Sequence, residues 1–129
     1  MDIEIDPLSS VPIHRQIRDR IVEAIGFGEL RRGEQLAPVR VLAAAFAVNP
    51  GTVAKAYEAL QAEGLLGANA KAGTFVARDR DSGPPSEEFL SGWGDRLTTL
   101  IAEARAHGLD DAGVRAACGE AAARVARAA

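Results

Sequence analysis

Isoleucine recurs at every fourth position, Ile13, Ile17, Ile21 and Ile25, a spacing that lays one apolar stripe along an α-helix. The stripe predicts a first helix from Pro12 to about Phe27, with Arg15, Arg18, Asp19 and Glu23 off it. Upstream, Ile3 and Ile5 alternate as in a short edge strand, and Pro7, Ser9 and Ser10 punctuate the chain. Gly26, Gly28 and Gly33 break the pattern, so Glu29 to Gln35 reads as a connection with Leu30 and Leu36 turned inward. Val39, Leu42, Ala43 and Phe46, three and four apart, predict a second short helix from about Pro38 to Phe46.

The next boundary is the most informative. In Ala47-Val48-Asn49-Pro50-Gly51-Thr52, Asn49 is a preferred N-cap and Pro50 suits the first helical position, where its missing N–H is no loss. A third helix starts there; Val53, Ala56, Tyr57 and Leu60 form its buried face, and Gly64 ends it after Glu63. Two helices about three residues apart, the second opened by a cap, satisfy the spacing of a helix-turn-helix. Leu65 and Leu66, the small polar stretch Gly67 to Ala72, and the β-prone Thr74, Phe75 and Val76 then read as a hairpin, a candidate wing. The run RDRDSGPPS, Arg78 to Ser86, mixes charge with Gly and Pro as linkers do. Beyond it, Phe89, Trp93, Leu97, Leu100, Ile101 and Ala104 line one face of a helix ending near Gly108. A last helix, capped by Asp110, carries Val114, Ala117, Cys118, Ala121, Ala122 and Val125.

The fold class expected is mainly α with a small β-hairpin wing. A winged helix-turn-helix occupies residues 1–78, a linker 79–86 and a two-helix dimerisation segment 87–129. Two amphipathic helices of this size cannot bury both stripes against each other, so they are expected to meet the same pair from a second chain. Phe89, Trp93, Leu97, Leu100, Ile101, Ala104, Val114, Cys118 and Val125 are the candidate dimerisation residues.

Bulk properties narrow the function. At 129 residues, 47% of them hydrophobic and 26% charged, the chain has a core to bury but no room for a large catalytic fold. The single Cys118 forms no internal disulfide, and the start MDIEIDPLSS lacks the basic and apolar runs of an export signal; a cytoplasmic, non-membrane protein is expected. The net charge of −3 runs against the positive surface that a phosphate backbone attracts. Its distribution is less adverse: residues 1–78 hold nine basic and nine acidic groups, and residues 79–129 hold six and nine. No catalytic group stands out. His14 and His107 lack ligand-spaced partners, Cys118 on its apolar stripe reads as a packed thiol, and the pairs Glu87-Glu88 and Asp110-Asp111 fall at helix starts, where the dipole favours carboxylates. No cofactor, no metal and no enzymatic activity are expected.

If Val53, Ala56, Tyr57 and Leu60 point inward, the opposite face of the third helix presents Gly51, Lys55 and Glu58, with Thr52 on its flank. A recognition helix enters the major groove with its N-terminal residues against base edges, so small residues there let the backbone approach. Lys55 reaches phosphate or guanine, and the Arg40 fork suits bidentate recognition. Lys71, at the wing tip, reaches an adjacent minor groove or phosphate. Taken singly, each is an ordinary solvated cation and Asn49 an ordinary cap; the reading rests on the constellation.

In order along the chain, PIHRQIRDRI, GELRRGEQLAPVRVLA, VNPGTVAKAYEALQAEGLL and AGTFVA resemble the GntR family of bacterial regulators, specifically its short YtrA-like branch. The resemblance implies a dimeric winged-helix repressor of its own operon and of transporter genes, with a two-helix dimerisation segment in place of a large effector domain. It implies that Arg40 matches a DNA-contacting Arg, that Asn49, Pro50, Gly51, Thr52 and Lys55 match the start of the recognition helix, and that Gly73 matches the wing glycine. Val41 stands where the family usually has Glu, and Asn69 and Ala70 stand where wing arginines are frequent. The expected partners are double-stranded DNA with a palindromic operator and a second copy of the chain; an unidentified small-molecule effector is left open. The alternative is a winged-helix protein-interaction module without DNA binding.

Overall fold

The computed structural model describes residues 3–127, so the expected outer boundaries at residues 1 and 129 lie outside the described residues. Its elements are α1 (Ile13–Gly26), α2 (Val39–Phe46), α3 (Pro50–Ala62), β1 (Leu66–Asn69), β2 (Gly73–Val76), α4 (Glu87–Ala106) and α5 (Asp111–Arg127). The chain divides into two compact units between Ser82 and Gly83.

The first unit is a three-helix head with a hairpin. The isoleucine stripe of α1 does what its spacing requires: Ile17, Ile21 and Ile25 are buried against Leu42, Ala43, Val53, Ala56, Tyr57 and Leu60. Each such aliphatic side chain contributes about 1.5–3 kcal/mol on burial. Gln16 is buried with them and serves the segment that precedes α1. Its Oε1 accepts the Asp6 N–H at 2.8 Å, and its Nε2 donates to the carbonyls of Asp6 at 2.9 Å and Val11 at 2.8 Å. Ile3 and Ile5 therefore do not form the expected edge strand. The local backbone finds its partners in one amide side chain rather than in a ladder, while both residues still pack on the core.

Between α2 and α3 the chain turns through Ala47, whose φ of 54° is left-handed, and the Val48 N–H returns to the Ala43 carbonyl at 3.0 Å. Asn49 then caps α3 as expected, its Oδ1 accepting the Gly51 N–H at 2.7 Å. Tyr57, the largest fully buried side chain, donates its hydroxyl to the Ala37 carbonyl at 2.7 Å and so ties α3 to the approach to α2.

In the wing, β1 and β2 pair antiparallel with Leu66 opposite Val76 and Asn69 opposite Gly73. Within the small polar stretch Gly67 to Ala72, the residues from Gly67 to Asn69 are strand, and only residues 70–72 turn the corner. The reason is cross-strand packing. The Phe75 ring covers Gly67 so closely that a Cβ there would lie 2.7 Å from it, an aromatic-on-glycine pairing that lets a strand tolerate glycine. A further segment joins the hairpin. Gly33 N–H donates to Val76 O, Val76 N–H to Glu34 O and Leu36 N–H to Thr74 O, at 2.8–2.9 Å, and Gln35 bridges to Phe75.

The run expected as linker begins tied down. The Asp79 carboxylate accepts the Arg32 N–H at 2.8 Å, and also the Asp81 N–H and the Ser82 hydroxyl. These bonds, the Arg32 one first, hold its pKa below the usual carboxylate value.

In the second unit, Ser86 caps α4 by accepting the Phe89 N–H at 3.1 Å, and Asp110 accepts the Gly113 N–H at 2.7 Å ahead of α5. Glu87 and Glu88 occupy the first turn of α4, where the helix dipole favours them. Val114 is buried, whereas Phe89, Leu90, Trp93 and Leu100 remain about half exposed. Cys118, expected as a packed thiol, is exposed in this chain, because among the described residues of α5 the unit buries only Val114.

Candidate nucleic-acid interface

The face of α3 opposite its core side chains is open: Pro50, Gly51 and Lys55 are exposed, and Thr52 is half-buried on the flank. The Asn49 cap shapes its entry. A Cβ on Gly51 would sit 3.1 Å from the Asn49 Oδ1, so glycine lets the cap lie close against the first turn and leaves the backbone bare there. Arg40 lies exposed in the first turn of α2, next to Val41, which is 58% exposed and forms an apolar spot beside the cation.

The wing is registered against these helices by the segment 34–36. Its hydrogen bonds to β2 carry the chain toward the hairpin tip just before α2 begins, and the Tyr57 hydroxyl holds Ala37. The tip itself, with Lys71 exposed, is followed by Gly73 at φ +67°, a conformation that an L side chain adopts only with strain. Ala72 is held from both sides. The Asn69 Oδ1 accepts its N–H at 2.6 Å, and the Gln35 Nε2 donates to its carbonyl at 2.9 Å. Sequence reading gave neither clamp residue a role in the site. Asn69 carried a signal, since Asn readily accepts from backbone two or three residues on, but nothing in the sequence marked Gln35.

Charge pairing divides the head. Arg15 pairs with Asp19, Arg18 with Asp19 and Glu63, Arg20 with Glu23, and Arg31 with Asp81. The Glu63 hydrogen bond is the first cause of a raised Arg18 pKa, outweighing its partial burial. Among the described residues, Arg40, Lys55 and Lys71 make no ion pair, and neither does Arg32. The cations of α1 are thus neutralised by acidic neighbours, whereas Arg40 on α2, Lys55 on α3 and Lys71 in the wing are not.

The expected dimerisation residues are placed unevenly. Phe89, Trp93, Leu100, Cys118 and Val125 are exposed, Leu97, Ile101 and Ala104 are half-buried, and Val114 packs within its own unit. Among the described residues, no helix is long and apolar enough to cross a membrane, and no group of His, Cys, Asp and Glu is placed to hold a metal.

Residues 13–76, from the start of α1 to the end of β2, match the model of the family described as bacterial regulatory proteins, gntR family. A solved structure of YtrA from Sulfolobus acidocaldarius, a GntR-family transcription factor, is 36% identical and superposes with a TM-score of 0.63, covering 81% of this chain and 97% of that one. The chain belongs to the GntR family. The HTH-type transcriptional repressor YtrA of Bacillus subtilis is 39% identical over 77 residues, a match spanning 60% of this chain and 59% of that repressor's length. The fold extends beyond the head: a transcriptional antiterminator from Listeria monocytogenes, 27% identical, superposes with a TM-score of 0.86 over 97% of this chain and 92% of that one. This GntR-family chain is a winged helix-turn-helix of the YtrA-like kind with two helices after the wing.

Proposed function

We propose that this GntR-family regulator binds operator DNA as a homodimer and represses transcription, with α3 in the major groove and the wing tip on the adjacent backbone or minor groove. One observation carries the reading. The cations left without acidic partners include Arg40, Lys55 and Lys71, and Arg40 and Lys55 lie on the two helices that meet at the bare turn Asn49 to Thr52. Phosphates supply the counter-charge that the protein withholds there. Lys55 reaches phosphate or guanine, Arg40 offers a bidentate fork, and Gly51 and Thr52 admit the backbone to base edges.

The dimer rests on the second unit. Its half-exposed Phe89, Leu90, Trp93 and Leu100 leave apolar surface along α4, and a second copy covers it. Two copies read a palindrome whose half-sites lie roughly one helical turn, about 34 Å, apart. Residues 1–78 are then the reading head, 79–86 the connection and 87–129 the dimerisation segment. The targets that the family resemblance implies are its own operon and transporter genes.

The test is selection of bound duplexes from a random pool, with the mass of the protein and of its complex measured in solution. A palindromic consensus and a dimer mass are expected. Changing Arg40 to Ala should weaken binding to the selected site by about 1–3 kcal/mol. Absence of any DNA binding at low salt would leave the protein-interaction module as the reading.

A further inference from the structure

We propose that Gln35 and Asn69 are positioning residues for DNA binding: together they clamp Ala72, fix the wing tip and hold Lys71 where it meets one phosphate of the duplex. The inference rests on the DNA-binding reading and concerns groups outside the recognition helix.

A three-residue tip is ordinarily the most mobile part of a hairpin, and a lysine on a mobile tip loses much of its binding energy to ordering. Here the tip has two side-chain restraints. The Asn69 Oδ1 takes the Ala72 N–H at 2.6 Å from within the hairpin, and the Gln35 Nε2 reaches the Ala72 carbonyl at 2.9 Å from outside it. Gln35 is itself held, because its backbone bridges to Phe75 while Leu36 N–H donates to Thr74 O at 2.9 Å. Both amide side chains are exposed and contribute little to the core, so stability alone gives no account of two bonds converging on one peptide. Lys71 immediately precedes the clamped residue and makes no ion pair among the described residues. The geometry delivers a prepaid conformation to an unpaired cation.

The experiment measures binding of the full chain to its pool-selected duplex as a function of salt, for the wild type, Lys71→Ala, Gln35→Ala, Asn69→Ala and Gln35→Ala combined with Lys71→Ala. Loss of one phosphate contact per subunit, two per bound dimer, lowers the magnitude of the slope of log K against log salt by about 1.8. Lys71→Ala should show that loss. Gln35→Ala and Asn69→Ala should each show most of it with the lysine still present, which neither net charge nor a merely structural role explains. The double variant should bind no worse than Lys71→Ala alone. Wild-type slope and affinity in both clamp variants would overturn the clamp and leave the DNA reading intact, as would full additivity in the double variant. Failure of the wild type to bind any duplex at low salt would overturn the DNA reading, and the clamp with it. Unchanged thermal unfolding of the single variants is expected, and a large loss of stability would overturn the positioning role.

Discussion

Tyr57 shows how one residue joins packing to charge. Burial pushes its phenol from the ordinary 10.0 up to about 12, since desolvation penalises the phenolate. The folded state therefore favours the protonated form: that stabilisation is complete below about pH 10 and is lost as pH rises through about 12. Because the chain has a single Tyr, an ultraviolet titration reads it directly, and half-ionisation is expected near 12 in the folded protein and near 10 in urea. Removing the hydroxyl in Tyr57→Phe should cost about 1 kcal/mol, as one net hydrogen bond does. Ala47 is the opposite case, a residue whose backbone opposes its side chain. At φ 54° it bears a left-handed strain of roughly 1–2 kcal/mol, partly balanced in a glycine by the extra entropy of the unfolded chain. Ala47→Gly is expected to raise stability by about 0.5–1 kcal/mol, measured by urea unfolding; a lower midpoint would show that the turn is not strained.

At the scale of elements, the helices were the legible part. Four isoleucines at one spacing marked α1, and Asn49-Pro50 marked the start of α3 to the residue, because capping is local chemistry between neighbours. Removing that cap by Asn49→Ala should cost about 1 kcal/mol and raise amide exchange in the first turn of α3, an effect separable from DNA contact because exchange is measured without DNA. The wing was legible as a hairpin but not in its extent. Gly67 and Ala68 have low strand propensity, yet Phe75 covers one and the pairing Ala68 to Thr74 takes in the other. Propensity in sheets depends on what lies across the strand, and the partner segment 34–36 came from a stretch that reads only as a connection.

For the whole molecule, the question is what the apolar face of α4 does. If a second copy covers it, a charge at its centre is intolerable: Trp93→Glu should convert the protein to a monomer by light scattering while leaving the head folded. Affinity for a palindromic duplex should then fall about a hundredfold or more, the loss of effective concentration on uncoupling two heads, while half-site binding persists. A dimeric Trp93→Glu protein would move the interface elsewhere.

The sequence by itself determined the order and kind of the helices, the cap that opens α3 and the residues facing away from the core there, because these follow from periodicity and from contacts within a few residues. Only the tertiary structure decided which arginines are neutralised, that Gln16 rather than a strand holds the incoming chain, that Gln35 and Asn69 meet at Ala72, and that Cys118 is exposed. Those outcomes depend on groups as far as 50 residues apart along the chain, as in the pair Arg31 and Asp81. Whether a side chain finds such a partner is set by the folded backbone, not by its neighbours in sequence.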